Sequence, residues 1–275
     1  DVTGESMDGF AEAVRAARES EAAIIFVGNT RQTEGEGKDR MNLDLPGVQA
    51  DLIKEVAATG VPTVVVLING SAITMTDWID RVGAVVEAWY CGEAGGTAIA
   101  DVLFGDYNPG GKLPITFPRT VGQLPLYYDI KPSGRVYDYV DLRGEQPLFP
   151  FGHGLSYTAF AYSNLRITPE RITKRQSATI SLEVENSGDR EGDEVVQLYV
   201  RDVVAGVVRP RKELKGFRRI TLRPKAKRRV TFRLRARDLG FYDEKMRYVV
   251  EPGVFEIQVG SSSQDIRLTG QLTIL

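Results

Sequence analysis

Two changes of texture along the chain predict an α/β segment followed by an all-β one. Up to about residue 104, short apolar runs alternate with amphipathic helical stretches, which calls for a largely parallel sheet with helices on both faces. From Ala159 onward the apolar residues alternate one by one between turn signals. About seven such strands in ~110 residues make an immunoglobulin-like sandwich. The 275 residues suffice for one large domain or two ordinary ones.

The elements follow in order. Met7 to Glu21 carries Phe10, Val14 and Ala17 on one face, with Ser6 or Asp8 as the N-cap. Ala23–Val27 is apolar on both faces, ends at Gly28 and reads as a buried parallel strand. Pro46 opens a helix over Gly47 to Ala58 with Leu52, Ile53 and Val56 inward, closed by Gly60 and Pro62. Thr63 to Ile68 is a second strand, Thr76 to Arg81 a short helical piece, and Ala84 to Trp89 a third strand. Gly92–Gly96 is a turn, and Thr97 to Phe104 a helix. The glycines of that turn fit neither G-x-G-x-x-G nor a P-loop, so they give no nucleotide site.

Residues 121–158 are rich in Pro, Gly, Tyr and charge, with little periodicity. A connection this long is uncommon unless it is functional or disordered, and its aromatics argue for order. In the β-rich part, Ala178, Ile180, Leu182 and Val184 share one face, as do Val196, Leu198 and Val200, Val230, Phe232 and Leu234, and Val254, Phe255, Ile257 and Val259. The basic run Arg209 to Arg237 falls mostly on outward positions. It reads as a solvated face, since it lacks the stacked aromatics of nucleic-acid binders.

Composition excludes several function classes. A net charge of -2 gives no field that favours nucleic acid or an acidic membrane. No apolar run approaches the ~20 residues of a membrane-spanning helix. One cysteine, Cys91, and one histidine, His153, cannot build a cluster metal site, and no cofactor or metal is expected. Cys91 is expected to be a small buried residue, Trp78 and Trp89 core, and His153 a turn residue bonded to backbone. Asp1 to Ser6 has no signal-peptide character and the start looks processed.

The chemistry is expected between Thr33 and Pro46. Thr33-Glu34-Gly35-Glu36-Gly37-Lys38-Asp39-Arg40 packs three acids and two bases into its last seven residues. It follows the C-terminal end of a strand, where open α/β sheets place their ligands. Glu36 stands between two glycines, which suits a carboxylate that must swing. On pattern alone, a solvated surface loop remains an equal reading.

At these residues the chain resembles the C-terminal portion of glycoside hydrolase family 3, the β-glucosidases and their relatives. The resemblance is carried by Glu34-Gly35-Glu36-Gly37-Lys38-Asp39-Arg40 with Leu43-Asp44-Leu45-Pro46, by Trp89 to Gly96, by Leu103 to Pro114 and by Pro147 to Thr158. It implies the C-terminal part of an α/β sandwich domain over 1–120, a connecting loop over 121–158 and a fibronectin type III-like domain over 159–275. It implies a retaining β-glucosidase, with β-xylosidase or another exo-β-glycosidase as the alternative. Glu36 sits at the position of the general acid/base, with Glu34 its nearest competitor. Asp39 and Arg40 look like loop-ordering or substrate-contacting residues, an Asp39–Arg40 ion pair being one way to order the loop. The family's nucleophilic aspartate lies on a (β/α)8 barrel for which no segment here is long enough. The expected partners are therefore that barrel portion and a β-linked oligosaccharide or glucoside, with no nucleic acid or membrane, and a homodimer left open. A periplasmic or secreted location is favoured by the substrate class. From a different class, the chain alone could be a non-catalytic carbohydrate-binding or interaction module, using the aromatics of Tyr127 to Phe151.

Overall fold

A computed structural model describes residues 2–132, 139–142 and 146–275. The expectation of an ordered 121–158 connection lies, over 133–138 and 143–145, outside the described residues. The chain divides into two compact units, Asp1–Phe104 with Phe117–Pro125, and Gly105–Thr116 with Leu126–Leu275.

The first unit contains α1 (Phe10–Arg18), β1 (Ala23–Gly28), α2 (Gln49–Ala57), β2 (Thr63–Ile68), β3 (Ala84–Glu87) and α3 (Gly95–Phe104). The three strands form a parallel sheet in the order β1-β2-β3, as the alternation of strand and helix predicts. Gly28 pairs with Ile68, and Leu67 with Glu87, so all three strands finish at one edge. Ile25, Val27, Ile53, Val56 and Val65 to Leu67 are buried, together with Trp78.

Four expectations for this unit are corrected. β1 is not buried on both faces: Ile24 and Phe26 are 41% and 56% exposed, because β1 is an edge strand whose side chains alternate between a covered and an open face. The cap of α1 is Gly9 in a left-handed conformation rather than Ser6 or Asp8. The Ser6 hydroxyl instead accepts the Asp8 amide, and Phe10 N–H bonds to the Met7 carbonyl, so a turn takes the place of the first helical residues. Cys91 is exposed. It follows the end of β3 on the loop into α3, so no neighbouring layer covers it. Trp89 is half-buried, its ring meeting Phe117 edge-on at 6.0 Å.

The second unit is all-β. β4 (Phe160–Thr168), β6 (Ser177–Asn186) and β9 (Lys227–Arg235) form one sheet, in the order β4-β6-β9. A second is ordered β5-β13-β12-β7-β8, from β5 (Arg171–Ile172), β7 (Gly192–Asp202), β8 (Glu213–Leu222), β12 (Gly253–Gly260) and β13 (Ile266–Ile274). A small hairpin pairs β10 (Phe241–Tyr242) with β11 (Tyr248–Val249). The period-two residues named from the sequence point inward and make one core, with Ile180, Leu182, Leu198, Phe232 and Ile257 all at most 5% exposed, except Val254, which is 38% exposed because it neighbours inward Phe255 on a strand whose side chains alternate.

Asn186 joins several segments of this unit. Its side chain donates to the carbonyls of Arg190 and Leu222 at 2.7 and 2.9 Å, and accepts from Thr158 Oγ1 and the Gly188 amide at 2.6 and 3.1 Å. It is fully buried, and its four bonds leave no orphaned polar atom on its side chain. His153 lies in a backbone-bonded turn, its N–H on the Pro150 carbonyl, with its ring stacked on Phe149 at 4.9 Å.

Candidate active site

Residues 29–46 leave the C-terminal end of β1 and return to α2, and one side chain holds the neck of this loop. Gln49 accepts the Gly28 amide at 2.8 Å and donates to the carbonyls of Gly28, Pro46 and Val2 at 3.0, 2.9 and 3.1 Å. Gly28 has φ 149°, and a Cβ there would lie 1.9 Å from the Ile68 carbonyl oxygen, so only glycine lets the strand end this close to β2. At the loop's start Thr33 Oγ1 donates to Asn29 Oδ1 at 3.1 Å.

Glu36 is at the tip, in a turn closed by Lys38 N–H on the Gly35 carbonyl at 3.0 Å. The flanking Gly35 and Gly37 have φ 137° and 71°. Glu36 is exposed and makes no hydrogen bond or ion pair among the described residues. Two residues earlier, Glu34 is half-buried and anchored. Its Oε2 accepts the Gly70 amide at 2.6 Å and the Tyr90 phenol at 2.7 Å, and its Oε1 accepts the Ser71 hydroxyl. Burial would push the Glu34 carboxyl up. The bonds from Ser71, Tyr90 and Gly70, with the Arg40 charge, outweigh it and hold the pKa below the ordinary value.

Asp39 is exposed, and no Asp39–Arg40 ion pair is found among the described residues. Arg40 orders the loop differently, donating from Nη2 to the Asp44 carbonyl, while the Asp44 carboxylate accepts the Thr74 hydroxyl. The loop brings the Asp44 carbonyl within reach of the guanidinium, while the Asp39 carboxylate stays out at the exposed surface.

Four contributors escape inspection of the loop sequence alone: Asn69, Ser71, Glu87 and Tyr90. They follow or end β2 and β3, so the rule that ligands gather at strand C-termini points to them once the strands are drawn. Burial pushes the Tyr90 phenol up to about 12, with its bond to Glu34 adding, so it remains a donor. Glu87 Oε1 accepts the Trp89 amide at 3.0 Å and Oε2 the Asn69 side-chain amide at 3.4 Å. Burial raises its pKa to about 7 against these two bonds, and the Glu34 charge adds to the rise. Among the described residues no group of His, Cys, Asp and Glu is arranged to hold a metal.

A parallel sheet whose first strand runs into an acidic, glycine-flanked loop has its candidate ligand site at the C-terminal edge of the strands. Residues 4–157 match the glycosyl hydrolase family 3 C-terminal domain, and residues 194–263 a fibronectin type III-like domain. The chain belongs to glycosyl hydrolase family 3. It is 45% identical to a β-xylosidase of Formosa agariphila over its whole length, and 42% identical over 93% of it to a periplasmic β-glucosidase of Salmonella typhimurium. It covers 38% and 35% of those two proteins, so it spans little more than a third of the curated relatives it matches. Among solved structures, a β-glucosidase from Listeria innocua in complex with glucose superposes over 100% of this chain and 39% of its own, with a TM-score of 0.94 and 31% identity. A β-glucosidase from Erythrobacter marinus superposes over 97% of this chain and 36% of its own, with a TM-score of 0.90 and 40% identity.

Proposed function

We propose that this chain supplies the acid/base loop of a retaining exo-β-glycosidase of β-glucosidase type, with Glu36 as the general acid/base. A (β/α)8 barrel outside these 275 residues supplies the nucleophilic aspartate. The observation that carries the assignment is the contrast between the two loop glutamates. Glu34 is held by three donors that favour its charged form, which suits an anchor and not a proton donor. Glu36 is unbound, exposed and flexibly flanked, free to enter a cleft formed with another part of the enzyme.

In such a reaction Glu36 protonates the glycosidic oxygen as the barrel aspartate attacks the anomeric carbon. The aglycone leaves, and Glu36, now ionised, takes a proton from the water that attacks the glycosyl-enzyme. Arg40 keeps the loop base in shape through the Asp44 carbonyl. The open face of β1 at Ile24 and Phe26 is then covered by the remainder of the sandwich domain. A periplasmic or secreted location agrees with the name of the Salmonella typhimurium relative.

β-Xylosidase activity is the second reading, favoured by the 45% identity to the Formosa agariphila protein. Initial rates of the complete enzyme on aryl β-D-glucoside and aryl β-D-xyloside separate the two. A higher kcat/KM on the glucoside supports the first reading, a higher value on the xyloside the second, and no turnover of either removes both.

A further inference from the structure

The three donors that fix Glu34 come from only two short segments, the turn Asn69–Ser71 after β2 and the pair Trp89–Tyr90 after β3. One side chain touches both. Glu87, the last residue of β3, accepts the Trp89 amide on Oε1 and the Asn69 side-chain amide on Oε2. Asn69 is fully buried, and the same Nδ2 donates to the Ser71 carbonyl at 2.6 Å, which shapes the turn that presents Gly70 N–H and Ser71 Oγ. Trp89 has φ 54°, a left-handed conformation that a bulky residue keeps only when its surroundings impose it. The Glu87 carboxyl accepts the amide of this residue, and the next residue, Tyr90, donates its hydroxyl to Glu34.

We infer that Glu87 is a positioning residue for the acid/base loop, acting through the Asn69 turn and the Trp89–Tyr90 segment to fix Glu34 and thereby the base from which Glu36 reaches its substrate. The inference rests on the reading of this loop as the acid/base loop. Glu87 touches no reacting atom; it is a carboxylate spent on two backbone-shaping bonds at the end of a strand. Both of its oxygens are taken up by bonds to the two segments that hold Glu34.

The test is made in the complete glycosidase with two substrates of the same sugar, a dinitrophenyl glycoside whose leaving group needs no proton and a disaccharide whose leaving group does. Misplacing the acid slows only the second, whereas a smaller fraction of folded enzyme slows both equally. Glu87→Ala is expected to lower kcat/KM on the disaccharide about tenfold more than on the dinitrophenyl glycoside, a modest part of what a general acid contributes. Glu87→Gln, which keeps an acceptor for the Trp89 amide, restores most of the loss. Glu87→Met fills the same space without an acceptor and carries the same expectation as alanine if that variant is not recovered folded. Equal losses on both substrates, or no loss, overturn the positioning role. Glu36→Ala is measured alongside. If it lacks a substrate ratio, the acid/base assignment fails; if it has one and the Glu87 variants do not, only the positioning role fails.

Discussion

The side-chain amide of Gln49 pairs with both backbone groups of Gly28, accepting its N–H at 2.8 Å and donating to its carbonyl at 3.0 Å. The same nitrogen reaches the Pro46 carbonyl, so a residue at the start of α2 closes the two ends of an 18-residue excursion, 29–46, into one neck. A long loop closed this way has its two ends fixed to one another and carries Glu36 at its exposed tip.

Gln49→Ala removes this closure and leaves the Gly28 amide and carbonyl short of partners inside the unit. The expected loss of stability is about 2 kcal/mol, from orphaned backbone groups. Urea unfolding followed by tryptophan fluorescence reads it directly, because both tryptophans of the chain, Trp78 and Trp89, lie in this unit. A loss confined to a few tenths of a kcal/mol would mean that the neck is held by something else.

The two carboxylates behind the loop give opposite pH dependences. Glu87 has a raised pKa of about 7, so the folded state holds a proton that the unfolded chain has released. Its contribution is present below the unfolded value near 4.5 and is lost as pH rises to about 7. Glu34 has a lowered pKa, so its contribution is present above its unfolded value and is lost as pH falls through the folded one. Between pH 4.5 and 7 the Glu87 term therefore reduces stability with rising pH, on the order of 2 kcal/mol after allowance for its partial solvent contact. Glu87→Gln should flatten that limb and leave the acid limb in place, as measured by urea midpoints across pH.

In the β-rich unit, Asn186→Ala strips four side-chain hydrogen bonds from a fully buried position and leaves the Arg190 and Leu222 carbonyls unpaired by it. A destabilisation of about 2–4 kcal/mol is expected. Asn186→Asp should be nearly as damaging, since a carboxylate cannot donate to those carbonyls. Thermal unfolding of the two variants tests this.

The long, strongly periodic elements were legible because burial imposes their spacing: the parallel strands at Ile25 and Val65, and the inward rows through Ile180 and Phe232, stand where the alternation of the sequence puts them. What failed to show depended on strand position in the sheet, on local turns and on partners distant in sequence. Ile24 and Phe26 look buried because apolar residues normally are, yet here no element covers them. Gly9 displaces Ser6 and Asp8 as a cap because the local turn, not the capping side chain, decides where α1 begins. Of the site, the loop and its two glutamates could be read from the glycine and charge pattern. The anchoring of Glu34 could not, since Tyr90 reaches it from 56 positions away.

In the proposed function Glu36 is the acid/base and Glu34 its anchor. The most direct measurement is azide rescue of Glu36→Ala and Glu34→Ala in the complete enzyme, using a dinitrophenyl glycoside. This substrate forms the glycosyl-enzyme without acid help, and the intermediate then waits for a base that azide does not need. Azide is expected to accelerate Glu36→Ala and yield the β-glycosyl azide, while Glu34→Ala gains nothing from azide. Rescue of Glu34→Ala with no rescue of Glu36→Ala would contradict it and exchange the roles of the two glutamates.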